Sequence, residues 1–231
     1  MPIFSPYHRI SQVPEQSVAD YLTAFFHQKG HPGAIRVDNG APFRTPKANS
    51  TSALALWLIG HGVKLIWNPP ASPKSNPKVE RIQATSWRWS EISKAESYEQ
   101  AQQRLDQAIT TQREQYPVTR LGRKTRIEAF PELGQKARNW NPQNFDENRV
   151  YQFLAKKIYN RKVSSAGQIT HFGHKLRIGT KWIRQTVQLK LEPEKLVWVV
   201  YDVQNKKTKE IPAFFLSRER ILNLKVFRKK L

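Results

Sequence analysis

The chain is 231 residues long, carries 39 Lys/Arg against 18 Asp/Glu for a net charge of +21, and contains no cysteine. So large a basic excess argues against an ordinary metabolic enzyme and for a polyanionic partner, and the lack of thiols removes disulfides, zinc ribbons and cysteine nucleophiles. Hydrophobic residues make up 39% of the chain and include 11 Phe, 7 Trp and 7 Tyr, which favours a folded core over charge-driven disorder.

Ile3-Phe4 and Tyr7 to Val13 precede the first helical pattern, so the N-terminal side of any sheet is expected to be short. Val18, Leu22, Phe25 and Phe26 recur at helical spacing after Ser17 and predict a helix to about Gln28, closed by Gly30 and Pro32. Asp20 falls off its apolar face. Ala34 to Val37 predicts a buried strand ending at Asp38-Asn39-Gly40, Thr51 to His61 a second helix, and Val63 to Trp67 a second strand. The prolines between Asn68 and Pro77 impose an exposed loop, and a helix starts near Lys78 with Pro77 in its first turn. From Ser97 a long helix is predicted to Gln115, with Tyr98, Ala101, Leu105, Ala108 and Ile109 inward and Pro117 as its stop. Arg120, Arg123, Lys124 and Arg126 then mark a connector with one short helix around Arg126 to Phe130.

The pattern changes near residue 145. Beyond it come Lys157 to Val163, Gln168 to Phe172, Lys175 to Ile178, Ile183 to Leu191, Lys195 to Tyr201 and Ile211 to Phe215, whose alternation (Val187-Gln188-Leu189-Lys190-Leu191) predicts a small antiparallel barrel. Residues 151–231 hold 19 Lys/Arg against 5 Asp/Glu, and residues 1–150 hold 20 against 13. The smaller segment therefore carries the larger net charge. The expected organisation is an α/β domain over 1–117, a basic connector over 118–145 and a basic β-barrel over 146–231. No apolar run approaches the roughly 20 residues of a membrane span, and Met1 to Arg9 lacks the apolar centre of a signal peptide. A cytoplasmic, nucleoid-associated protein is expected. His171 and His174 form a close pair without neighbouring ligands, and Asn49-Ser50-Thr51 reads as a polar loop.

Two carboxylates stand out by context. Asp38 follows a predicted strand, and Glu80 lies in the first turn of the helix after the proline loop. Open α/β sheets place their sites beyond the C-terminal strand ends, and carboxylates converging there could hold Mg²⁺ for phosphodiester chemistry. A plainer reading stands beside this one: Asp-Asn-Gly is a common turn, and a first-turn Glu is favoured by the helix dipole.

Gly33 to Phe43 with its Val37-Asp38-Asn39-Gly40, Ala53 to Leu58 running through Gly62-Val63-Lys64, Pro69-Pro70 with Pro73, and Lys78-Val79-Glu80-Arg81 occur in an order that resembles the catalytic core of bacterial insertion-sequence transposases in the retroviral integrase superfamily. Arg88-Trp89, Gln112-Arg113 with Tyr116-Pro117, and Glu128-Ala129-Phe130-Pro131 are similar to segments downstream of that core in the same group. The resemblance spans roughly residues 3–135. It implies a ribonuclease-H-like fold succeeded by an SH3-like DNA-binding barrel. Asp38 and Glu80 would be the second and third metal-binding carboxylates of an Asp, Asp, Glu triad using Mg²⁺ or Mn²⁺. The implied reaction is cutting of a transposon end by water, then attack of the freed 3′ hydroxyl on target DNA by a homo-oligomer holding paired ends.

The first aspartate of that triad belongs on an opening strand before a segment matched here by Ser5-Pro6-Tyr7, and Asp20 and Glu15, near the first helix, are poor substitutes. The expectation is an N-terminally truncated core, incomplete in its metal site and inactive alone. Lys74, Lys78 and Arg81 flank Glu80 as candidate phosphate contacts, and Lys156, Lys157, Arg161, Lys162, Lys175, Arg177, Lys181 and Arg184 are candidates on the barrel. Trp87 and Trp89 are expected in a core or interface. Arg228, Lys229 and Lys230 suit a basic tail. The rival expectation is a non-catalytic nucleic-acid-binding protein that works through its basic barrel.

Overall fold

A computed structural model describes residues 14–37, 39–45, 50–69, 77–135 and 138–227. The chain is mixed α/β and divides into two compact units with interleaved segments. One unit contains Gln28–His31 and Asn68–Asn139; the other contains Gln12–His27, Pro32–Trp67 and Trp140–Leu231. Composition changes near residue 145, but packing groups the chain differently, because the second unit joins early helices and late strands around shared apolar side chains.

That second unit opens with α1 (Glu15–Lys29), two residues earlier than its apolar spacing predicts. Glu15 stands in its first turn, and its carboxylate accepts the Leu54 N–H at 3.2 Å. Burial raises the Glu15 pKa, while the Leu54 N–H opposes that rise. Strand β1 (Ala34–Val37) leads through β2 (Arg44–Thr45) and β3 (Ser50–Thr51) to α2 (Ala53–Gly60) and then β4 (Lys64–Trp67). β1 and β4 pair in parallel, Ala34 beside Lys64 and Val37 beside Trp67, which requires a crossover that α2 supplies. Helix α2 is apolar all round and almost wholly buried, as a central helix must be. Ser52 caps it by accepting the Ala55 N–H. Its last residue must be glycine, since a Cβ at Gly60 would lie 2.2 Å from the Phe145 ring.

The other unit is built on a helical pair. α3 (Pro77–Ser90) packs against α4 (Tyr98–Thr110), which continues as a π-helical turn over Thr111–Gln115. Ser97 caps α4 by accepting the Gln100 N–H, and the Gln100 side chain in turn accepts from the Glu96 N–H. Ala101 and Ala108 are buried along α4, while Gln112 donates to Ser86 Oγ at 2.9 Å in a buried bond. Tyr98 and Ile109, expected inward, are 71% and 43% exposed; small alanines rather than the large side chains line the close approach. Trp89 packs edge-on against Tyr116, whereas Trp87 is 62% exposed. The short helix α5 (Arg126–Ala129) carries a full capping box between Thr125 and Glu128.

After Trp140 the chain forms α6 (Glu147–Ala155), a helix not expected from the sequence pattern, although Asp146 caps it and Val150, Tyr151 and Leu154 share its buried side. Next come strands β5 (Tyr159–Lys162), β6 (Gln168–His171), β7 (His174–Arg177), β8 (Thr186–Glu192), β9 (Val197–Tyr201) and β10 (Lys207–Pro212), and α7 (Arg218–Leu222) is the last helix. The strands do not close into the expected barrel. Among the described residues they form an open antiparallel sheet in the order β10-β9-β8-β5 and a separate β6–β7 hairpin. Lys209 Nζ donates to the Arg177 carbonyl at 3.0 Å, a side-chain link where a closed barrel would have a strand ladder.

β8 alternates strictly between exposed and buried residues, and its inner side meets one aromatic cluster. Trp198, fully buried, has His171 4.3 Å away, Tyr159 at 5.5 Å, Phe172 at 6.1 Å and Phe215 at 6.4 Å between ring centroids. The hairpin turn between β6 and β7 is Phe172-Gly173, both at positive φ, as a two-residue turn of this twist needs. Phe is an uncommon residue there, but its ring is anchored in the cluster against Phe215 and Phe227.

His171 is 1% exposed, and neither ring nitrogen has a hydrogen-bond partner. Burial is the main force lowering its pKa, to about 3, with the charges of Arg161 and His174 adding to it. The unfolded chain therefore takes up a proton near pH 6.5 that the folded chain refuses, and stability must fall as pH drops from about 6.5 toward 3. The loss can reach about 1.4 kcal/mol per pH unit. Urea denaturation between pH 7 and 5 is expected to show this slope, and His171→Phe is expected to flatten it. An unchanged slope in the variant would contradict the burial of a neutral imidazole.

Candidate nucleic-acid interface

Glu80 stands in the first turn of α3, where the helix dipole favours a carboxylate. It is exposed to solvent, and Arg81 beside it is exposed as well. Asp38 and Lys74 lie outside the described residues, and of Lys78 only its place in the α3 backbone is described. Val37, the residue before Asp38, sits beside Trp67, so the C-terminal ends of the parallel strands are neighbours. Asp20 projects from α1 into solvent and accepts a hydrogen bond from Gln16 Nε2 at 2.9 Å, in keeping with a surface position rather than a strand-borne ligand. Among the described residues no three His, Asp or Glu side chains come together as a metal site. Of the two carboxylates expected to hold Mg²⁺ or Mn²⁺, Glu80 is the one that lies among the described residues.

The basic side chains are placed more definitely. In the β6–β7 hairpin, side chains alternate across the ribbon. Ile169, His171, His174 and Leu176 are buried, which leaves Thr170, Lys175 and Arg177 exposed on the other face with half-buried Gln168. Lys175 stands opposite Thr170, and Arg177 opposite Gln168. Two cations and two neutral hydrogen-bonding side chains thus share one outward face of a two-stranded ribbon, a shape that fits nucleic-acid grooves. Phosphate oxygens are the natural acceptors for such a face.

Lys162 and Arg184 extend the basic surface beside the hairpin. Lys162 pairs with Thr186, and the next residue, Val163, exchanges backbone bonds with Arg184 and Gln185. Both side chains are exposed. Lys181 is also exposed, with its ammonium 5.2 Å from the Trp182 ring centroid. Lys156, at the C-terminal end of α6, is exposed beside a groove that also includes Lys190, Glu192 and Glu194.

Two of the cations expected on phosphate are turned inward. Lys157 is half-buried, donates to Thr51 Oγ1 at 3.1 Å and lies 4.3 Å from the Phe153 ring centroid. Arg161 is half-buried above Tyr159, donates to the Asn160 carbonyl at 2.8 Å, and has its pKa lowered mainly by burial. Lys190, which no sequence motif marks, is exposed on β8. The alternation around it is the signal that could have found it.

Residues 148–191 contain ten Lys/Arg and no Asp or Glu. Nearly all the exposed cations named above therefore sit in a stretch with no carboxylate of its own to neutralise them. No helix among the described residues is long and apolar enough to cross a membrane. No protein-family model and no curated protein matches this chain.

Replacing Lys175 and Arg177 by alanine is expected to weaken duplex binding to a similar degree across unrelated sequences. The slope of log affinity against log salt should shrink by about one for each lysine or arginine withdrawn from a phosphate. Fluorescence anisotropy with duplexes at several salt concentrations measures both effects; an unchanged salt slope would count against the hairpin face.

Proposed function

We propose that this chain is a DNA-binding protein of the insertion-sequence transposase type, which grips duplex DNA by its backbone through the β6–β7 ribbon and the basic turn after it. The observation that carries the reading is the acid-free basic stretch over 148–191, folded so that Lys175, Arg177, Lys181 and Arg184 all reach solvent. Backbone phosphates, spaced regularly and indifferent to sequence, suit such an array.

The motif order over residues 3–135 supports the transposase assignment. The parallel β1–β4 pair with its α2 crossover is the kind of unit a ribonuclease-H-like sheet contains, and Glu80 separately keeps the first-turn helix position that the motif order expects. On the same reading β5–β10 correspond to an SH3-like module, and transposon ends and target DNA are the partners of a homo-oligomer. Mg²⁺ or Mn²⁺, when bound in such a core, activates water and stabilises the leaving oxygen; among the described residues Glu80 alone stands where a ligand is expected.

The exposed position of Glu80 is also compatible with a second reading, binding without chemistry. Incubation with supercoiled plasmid and an oligonucleotide donor in Mg²⁺ or Mn²⁺ separates the two. The expected result is salt-sensitive binding with neither nicking nor strand transfer, unchanged in Glu80→Ala. Metal-dependent nicking that disappears in Glu80→Ala would establish catalysis by this chain instead.

A further inference from the structure

The outer face of the four-stranded sheet carries a second arrangement, separate from the hairpin. Strand register sets Asn160 opposite Gln188 and Gln188 opposite Tyr201, so the three side chains form a row across β5, β8 and β9. Asn160 and Gln188 are exposed and Tyr201 is half-buried. A recess of about 260 Å³ opens beside Gln188 and Tyr201, bordered also by Ile158, Lys190 and Asn205. Ile158 is 62% exposed, an apolar side chain held at the rim where water gains nothing from it.

The chemistry of the recess is mixed in a particular way. Tyr201 supplies a ring, Ile158 an apolar edge, and Gln188 and Asn205 supply amides that both donate and accept. Lys190 is the exposed cation of the recess, and no ion pair is formed by it among the described residues. Lys207, opposite Tyr201 on β10, is held by Glu210 and is less available. A planar heteroaromatic ring with hydrogen-bonding edges and a phosphate attached one sugar away matches all four elements. A peptide backbone would satisfy the amides but brings no ring to Tyr201 and no anion to Lys190, and a lipid surface would meet Gln188, Asn160 and Asn205 where it needs apolar contact.

We propose that this face binds an unstacked nucleobase of a single-stranded nucleic acid, with the base against Tyr201, its edge toward Gln188 and Asn205, and its phosphate toward Lys190. Base stacking on an aromatic side chain of a β-sheet face tolerates any base, and half-buried Tyr201 lines the recess, while the amides add modest selectivity. The inference rests on the reading that the chain binds nucleic acid and adds a strand-sensing surface to the duplex-gripping ribbon. A DNA-handling protein would thereby hold a frayed or displaced strand beside a duplex.

The test uses the full chain with a single-stranded oligonucleotide and a duplex of equal length, read by anisotropy. Tyr201→Leu keeps apolar bulk but removes the π-face, and is expected to weaken single-strand binding about 5- to 100-fold while leaving duplex affinity unchanged. Tyr201→Phe should retain single-strand binding, and Gln188→Ala should reduce it without touching the core. As a second readout, an oligonucleotide containing 5-iodouracil should photocrosslink to the β9 peptide bearing Tyr201. Equal single-strand affinity in wild type, Tyr201→Leu and Gln188→Ala, with no crosslink to β9, would overturn the proposal. If duplex binding still falls in Lys175→Ala and Arg177→Ala under those conditions, the duplex reading survives its loss; if wild type binds neither form, both readings fail together.

Discussion

The packing of aromatic rings around Trp198 is the constraint on which the basic surface depends. β5, β6, β8 and β9 each commit side chains to it or to the apolar layer around it, and the Phe172 ring anchors the hairpin turn, where its backbone lies at positive φ. Because a strand alternates, every residue pressed into that cluster forces its neighbour outward. Lys175 and Arg177 face solvent because His174 and Leu176 do not.

The same cluster holds polar atoms without partners: the Tyr159 hydroxyl, the Trp198 indole N–H and both nitrogens of His171. Unpaired buried polar groups are costly, so they mark where the interior trades stability for aromatic contact. His174, by contrast, is satisfied through its Nε2 and the Val226 carbonyl at 3.0 Å. One histidine of the pair is a structural hydrogen-bond donor and the other is a packed ring. Both roles are internal to the fold, and the spacing of the two in the chain comes from flanking a two-residue turn.

Charge and core thus come from one repeating pattern. The interior is built without any acidic residue from 148 to 191, and the outward positions of that stretch then collect cations with little to quench them. Such a surface repels itself, which the aromatic core must offset and a polyanion would relieve. In the helical unit the logic is different. Alanines bring α3 and α4 together and Gln112 bonds Ser86 between them, so large residues such as Trp87 and Tyr98 are left at the surface.

Much is legible in the chain itself. The strand over Ala34 to Val37 and the helix starts near Thr51, Ser97 and Arg126 are readable because short-range chemistry decides them, but the expected burial of that strand holds for Val37 alone. So are the β8 alternation and the surface place of Asp20. Helix α6 escapes a reading by composition though Asp146 announces it, because the basic strands beyond draw the boundary too early. Tertiary packing alone decided that Glu15 would cap another helix, that Arg161 and Lys157 would turn inward, and that the strands would form an open sheet with a separate hairpin. It also aligned Asn160, Gln188 and Tyr201, residues distant in the chain that meet only through strand register. Composition and local pattern determine that this protein is folded, basic and suited to a polyanion. Which cations reach solvent depends on long-range pairing, since burial on one face of a strand is settled by what the other strands bring to it.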